Sequence, residues 1–309
     1  MSTITSAYTE ALAAAKLVAG SQHYPQSTLY VVATPIGNLA DISLRALYLL
    51  GLADTVACED TRHTGQLLHA YGLHKPLMAL HEHNESEAAQ NVIAKLQAGE
   101  RVVYVSDAGT PAISDPGSRL VAAAVAAGMR VVPLPGASSV TTVLSAAGCV
   151  NTSGFVFIGF LPSKGADRAA VFKQVEGADR AVVVLEAPHR IETLLRELSS
   201  LGERRVTVGR ELTKQFESIV TVQAAELPAW LAAKADNARG EFALVVHPKA
   251  MQDVASSIAD DTVTTTATAL LTRLLQELPL KTAVQVTMDV SGLPKNSLYD
   301  QALKLKDAS

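Results

Sequence analysis

Cysteine is scarce: 309 residues hold only Cys58 and Cys149, far apart and without a metal-type spacing. That argues against a disulfide framework and against zinc, and fits a reducing compartment. Long apolar runs are missing, since no stretch of about 18 residues could span a bilayer, and the first residues lack the basic-then-apolar order of a secretory signal. A cytoplasmic protein is expected. Positive charge is not in excess, because 26 Lys and Arg stand against 30 Asp and Glu for a net charge of −4. A strongly basic nucleic-acid binder would look different, although a local basic face is compatible with an acidic total. Neither GxGxxG nor GxxxxGK[ST] occurs, so nicotinamide chemistry and nucleotide hydrolysis fall down the order. The cluster His81, Glu82, His83 invites a metal reading. On an extended segment, however, the two imidazoles and the carboxylate point to opposite faces, and no metal is expected.

What the chain does have is a pair of loops rich in turn residues. SDAGTPAISDPGS, Ser106 to Ser118, follows the apolar run Val102 to Val105 and leads into a helical stretch, Arg119 to Ala127. Its glycines, prolines and aspartates make a sharp loop whose backbone can approach a ligand, at the strand ends where parallel α/β sheets bind them. PLPGASS, Pro133 to Ser139, opens another helix, with Ser138 and Ser139 available for its free amides.

Around these loops the elements alternate. Leu29 to Ala33, Thr55 to Cys58, Leu77 to Leu80, Val102 to Val105 and Val131 to Pro133 read as strands separated by helices, which predicts a mostly parallel sheet. After Gly148 the strands Phe155 to Phe160, Ala181 to Glu186, Arg205 to Glu211, Phe216 to Val222 and Phe242 to His247 enclose fewer helices, and Val206 to Val222 reads as a hairpin turning near Lys214. A second α/β domain with antiparallel strands is expected. The organisation predicted is a loosely held extension over 1–27, α/β domains over 28–150 and 151–250, a small, polar linker over 251–266, and a helical module over 267–309 broken at Pro279 and at Gly292 to Pro294.

A resemblance accompanies this reading. TLYVVATPIGNLADISLRAL (Thr28 to Leu47), ACEDTRHTGQLL (Ala57 to Leu68), HEHNE (His81 to Glu85), the two loops above, FVFIGFLPSK (Phe155 to Lys164), LEAPHRI (Leu185 to Ile191), VGRELTKQFE (Val208 to Glu217) and RGEFALVV (Arg239 to Val246) run in order along the chain. Together they resemble the ribosomal RNA methyltransferase branch of the tetrapyrrole methylase superfamily. The porphyrin-modifying members carry GxGPG-like and GGDP-like loops where this chain has TPIGN and SDAGTP, which favours the RNA branch. The resemblance implies an α/β, two-domain tetrapyrrole-methylase-like fold with the cofactor cleft between the domains, plus a small C-terminal helix-turn-helix-like module. It implies a homodimer that uses S-adenosylmethionine to methylate the ribose 2′-oxygen of a cytidine in 16S rRNA, as rRNA or as the assembled 30S subunit.

Carried over residue by residue, the resemblance assigns to the cofactor Pro35, then Asp107, Gly109, Thr110, Pro111 and Ala112, then Gly136 and Ser138, and from the second domain Phe160, Leu161, Ala187 and Gly240. A ribose hydroxyl is a poor nucleophile until its proton leaves, so a base helps. Glu59, Asp60, Glu186, His189, Glu211 and Glu241 are candidates, with Glu186 and Glu241 put forward and Glu59, Asp60 and Arg62 assigned to organising the substrate. Lys164, Arg168, Arg190, Arg210, Lys214 and Arg239 fall where they could meet phosphates, and Lys281, Lys295, Asn296 and Lys304 do so in the tail. A tetrapyrrole C-methyltransferase and a non-catalytic ribosome-assembly factor are the alternatives.

Overall fold

The computed structural model describes residues 2–81, 85–150, 154–249 and 262–307. The chain divides into two compact units, one made of Met1–Glu176 with Arg180–His247 and the other of Gly177–Asp179 with Pro248–Ser309. Where a loosely held extension is expected, the structure has a helix, α1 (Ser2–Ala19). Its Ala15 is fully buried with Leu47 and Tyr71, and the ring of Tyr8 meets that of Tyr71 edge-on at 5.3 Å. Packing, which composition does not reveal, holds it.

Strands β1 (Thr28–Val32), β2 (Thr55–Cys58), β3 (Leu77–Ala79), β4 (Arg101–Val105) and β5 (Arg130–Leu134) form a parallel sheet in the order β3-β2-β4-β1-β5. Helices α2 (Leu44–Leu52) and α3 (Thr61–Ala70) cover one face, where Tyr30 and Val32 of β1 point, while α4 (Glu85–Gln97) and α5 (Ser118–Ala126) cover the other, where Leu29 and Val31 point. Burial on both faces is why TLYVV and RVVYV read as continuous apolar runs. Pro133, which lacks an amide donor, sits on the edge strand β5, where its absence is tolerated.

Helix α6 (Ser139–Ala147) follows the first sheet but packs Val140, Val143 and Ala147 against the second. That sheet has the order β6-β7-β10-β8-β9, built from β6 (Phe155–Phe160), β7 (Ala181–Glu186), β8 (Arg205–Arg210), β9 (Ser218–Gln223) and β10 (Phe242–Val246). Only β6 and β7 pair in parallel; β10 lies antiparallel between β7 and β8, and β8 and β9 form the expected hairpin. Helices α7 (Gly165–Gly177), α8 (Pro188–Leu198) and α9 (Leu227–Ala232) complete the layer.

In the second unit α10 (Thr262–Leu275), α11 (Leu280–Ser291) and α12 (Lys295–Asp307) enclose Leu271, Ala283, Val284, Leu298 and Ala302. Pro279 precedes α11, and Gly292, at φ 70°, ends it with its amide on the Met288 carbonyl. Most of the expected linker lies outside the described residues, and α10 begins at Thr262, inside its predicted span.

Candidate active site

The connection from β1 leaves through α2 toward β2, and that from β4 leaves through α5 toward β5 on the opposite edge. Their adjacent carboxyl ends therefore form the switch point of the sheet, the usual place for a ligand crevice. There the two following loops are tied together. Thr34 N–H donates to the Gly109 carbonyl at 2.9 Å and Gly109 N–H to the Thr34 carbonyl at 3.0 Å. Gly109 has φ 82°, and a Cβ there would stand 3.2 Å from Ile36 Cγ2. The sequence reads Gly109 as a point of close ligand approach; in the structure its N–H and carbonyl are both engaged by Thr34, and the left-handed φ with Ile36 close by calls for glycine at this bridge. Ala112 and Ser114 also adopt positive φ, at 65° and 68°, a strained conformation that the surrounding structure must hold in place.

The loop ends on a carboxylate brought from elsewhere. Gly117 begins α5 without a side-chain cap of its own, and buried Glu85 of α4 accepts from Gly117 N–H and Arg119 N–H, both at 3.0 Å. An anion at a helix N-terminus satisfies free amides and opposes the helix dipole.

Beside this loop opens a cavity of about 440 Å³ lined from both sheets. Of the residues assigned by resemblance, Asp107, Gly109, Thr110, Ser138, Phe160 and Ala187 line it, as do Glu186 and Glu241. Ile36, Ile113, Ser114, Asp115, Val140, Leu185, Leu212 and Phe242 line it too and were not foreseen. Asp115 and Ser114 lie within the loop already singled out; nothing in the local pattern marks Leu212 or Phe242. Ser138 stands at the cap position of α6, but its side chain bonds no helix amide, contrary to expectation.

Five carboxylates, Glu59, Asp107, Asp115, Glu186 and Glu241, line this cavity, with no Lys or Arg among its lining residues. Burial pushes the Asp115 carboxyl up from its ordinary value against a hydrogen bond from Ser106, and the Asp107 charge adds to the rise. Glu186 is fully buried: Oε1 accepts from Ala187 N–H at 3.0 Å and lies 3.1 Å from Arg190 Nε, while Oε2 has no hydrogen-bond partner among the described residues. Glu241 is exposed, with Oε2 3.2 Å from Lys214 Nζ, and that ammonium lies 2.9 Å from Glu211 Oε1.

A second cavity of about 410 Å³ adjoins the first and shares Ile36, Asp107, Ala108 and Glu241 with it. Pro35 lines this one instead. Pro111, Ala112, Gly136, Leu161 and Gly240 line neither. Leu161 is buried and receives the Arg190 guanidinium on its carbonyl, and a Cβ on Gly136 would stand 2.8 Å from that of Ala33, so both have packing roles. Gly240, at φ 92°, backs onto the Glu211 side chain. Asp60 caps α3, accepting from Arg62 N–H at 2.7 Å and His63 N–H at 3.4 Å; the side-chain hydrogen bond from Arg62 holds its carboxyl down at about 2.

Two predicted phosphate contacts are corrected. Arg168 is buried, with Nε and a terminal nitrogen on Glu197 at 2.7 to 3.0 Å and the other on the Pro162 carbonyl at 2.7 Å. Arg190 is engaged by Glu186 and Leu161. Arg210 donates to the Phe216 carbonyl at 3.1 Å, and Arg239 pairs with Asp236 at 3.4 Å on the surface. Lys164 and Lys295 are exposed; the Asn296 and Lys304 side chains and residues Glu82 and His83 lie outside what the structure describes.

Residues 28–228 match the model of the tetrapyrrole (corrin/porphyrin) methylases, and residues 261–306 match that of the RsmI C-terminal HTH domain. The chain is 45% identical over 284 residues to the ribosomal RNA small subunit methyltransferase I of Pseudomonas aeruginosa, covering 91% of this chain and 99% of that one. It is 44% identical to the protein of that name from Escherichia coli O157:H7, covering 90% and 96%. In fold it is similar to a cobalt precorrin-4 methyltransferase (TM-score 0.54, 18% identity, 72% of this chain and 95% of that) and to a diphthine synthase (0.54, 17%, 71% and 90%).

Proposed function

The chain belongs to the tetrapyrrole (corrin/porphyrin) methylase family, in the group of ribosomal RNA small subunit methyltransferases I, and from that membership we propose how its site works. It transfers a methyl group from S-adenosylmethionine to the ribose 2′-oxygen of a cytidine in small-subunit ribosomal RNA. One observation carries the cofactor assignment: the cavity at the switch point is lined by five carboxylates and by no Lys or Arg. Such a wall repels a polyphosphate and favours a ligand that has cationic groups and no phosphate. When bound, S-adenosylmethionine supplies an electrophilic methyl on a positively charged sulfur.

The two glutamates then divide the work. Glu186 lines only the first cavity, paired with Arg190, and counters the ligand's positive charge. Glu241 lines both cavities and takes the proton of the hydroxyl as the oxygen attacks. Holding oxygen, methyl and sulfur in line supplies much of the acceleration, up to about 7 to 11 kcal/mol. Relatives of 44 to 45% identity carrying the ribosomal RNA name favour RNA over a porphyrinogen as acceptor. A cytoplasmic homodimer completes the reading; no helix among the described residues is long and apolar enough to cross a membrane.

The test uses purified protein, labelled S-adenosylmethionine and 30S particles. An alkali-resistant linkage at one cytidine of 16S rRNA is expected, and transfer is lost when that nucleotide carries 2′-deoxyribose. Glu241→Gln should lower kcat by about 10²-fold with cofactor affinity unchanged, whereas Glu186→Gln should weaken cofactor binding roughly tenfold. Undiminished transfer to the deoxy substrate would move the acceptor off the 2′-oxygen, and full turnover by Glu241→Gln would remove it as the base.

A further inference from the structure

The second cavity has a different character from the first. At about 410 Å³ it falls in the range that takes small-molecule groups, and Lys214 is the only Lys or Arg lining either cavity among the described residues. One wall is a stripe of α3, His63, Gln66, Leu67 and Ala70, whose spacing puts them on one helix face. The polar pair and the apolar pair thus lie side by side. The His63 and Gln66 side chains make no hydrogen bond to another described residue.

Lys214 comes from the β8–β9 turn, where Glu211 and Thr213 take positive φ of 53° and 66°. Its stem crosses the place a Cβ on Gly37 would occupy, so glycine is required for the lysine to pass over the first loop. Its ammonium is kept protonated by Glu211 and Glu241 although burial opposes the charge. Ile36, Asp107, Ala108 and Glu241 form the wall common to both cavities, so groups held in each can meet there.

Resting on the rRNA methylation reading, we infer that the second cavity receives the acceptor nucleoside turned out of its strand. Its base lies on Leu67 and Ala70 with the Watson–Crick edge at His63 and Gln66, its ribose faces the shared wall, and an adjoining phosphate meets Lys214. A single-stranded nucleotide offers its base edge and ring face in this way, and an amide supplies a donor and an acceptor together. Cytosine presents an amino donor beside the N3 acceptor; uracil presents the O4 acceptor beside an N3–H donor. An amide can turn over to match either edge, so the selectivity rests on one orientation, with the Gln66 carbonyl accepting from the cytosine amino group and its NH2 donating to N3; held that way, the site is a selectivity filter as well as a cradle.

Gln66→Glu tests this, because a carboxylate only accepts. The full-length wild-type and variant proteins are compared on 30S particles whose target nucleotide is cytidine or uridine, with cofactor affinity measured by calorimetry. The expected result is a fall of roughly tenfold in the cytidine-to-uridine ratio of kcat/KM, with cofactor affinity within about twofold of wild type. Should Gln66→Glu be inactive on both, Gln66→Ala, which leaves the edge unread, must reduce the ratio toward unity. An unchanged ratio in an active variant overturns the assignment, as does loss of cofactor affinity in place of altered selectivity. A wild-type protein that transfers nothing to RNA sinks the rRNA methylation reading itself.

Discussion

Gly109 shows what one residue does here. Its backbone bonds Thr34 in both directions at φ 82°, with Ile36 against the side a Cβ would take. Gly109→Val forces a β-branched residue into a left-handed conformation, at a cost of about 1 to 3 kcal/mol. The body of the fold survives that cost while the bridge does not. Circular dichroism of the variant should be native and calorimetry should find no S-adenosylmethionine binding; unchanged affinity in the folded variant would refute the site. A second residue sets a pH dependence. Burial, with the charges of Arg205 and Arg204, pushes the His247 imidazole down to about 4, and its Nε2 lies 2.8 Å from Thr207 Oγ1. As pH falls below the ordinary value near 6.5, the unfolded chain binds the proton first, so stability is flat above that value and is lost down to about pH 4. The loss reaches up to about 3 kcal/mol. Urea midpoints across this window should fall in the wild type, and His247→Gln should flatten the slope.

Elements are fixed by partners as much as by their own sequence. Helix α5 depends on Glu85 from α4, which holds two of its first amides through oxygen Oε1. Glu85→Ala removes two charge-assisted hydrogen bonds in a buried place and should cost about 2 to 3 kcal/mol. Because those amides also end the loop that lines the cavity, cofactor affinity should fall with stability. Equal urea midpoints for variant and wild type would show that the cap contributes nothing. The arginines of the second sheet carry the same lesson. Arg168 sits at the start of α7 in a polar stretch that reads as surface, and its partner Glu197 arrives from the end of α8. No local pattern signals such a pair.

At the scale of the whole molecule, every residue lining the two cavities belongs to the first compact unit, and the three C-terminal helices have their own buried cluster. Truncation after Lys249 should therefore leave S-adenosylmethionine affinity within about twofold while lowering kcat/KM for 30S particles about tenfold or more, as loss of phosphate contacts does. Equal methylation by both forms would show that the helical unit has no substrate role.

The sequence by itself determined the strands, because those buried on both faces must be apolar throughout, and it determined the loops at their ends, because sharp turns need glycine, proline and aspartate. Collinear blocks also carried the family. It allowed a short helix in the alanine-rich stretch Thr9 to Gly20 but not its docking, because that composition says nothing of the surface made by Leu47 and Tyr71. Only the tertiary structure decided which carboxylates share a cavity, which arginines are engaged in internal ion pairs, and that Lys214 lies over Gly37 in the wall of the second cavity. Those facts depend on contacts between residues far apart in the chain, and a side chain's charge has no meaning for a site until its distance to every other charge is fixed.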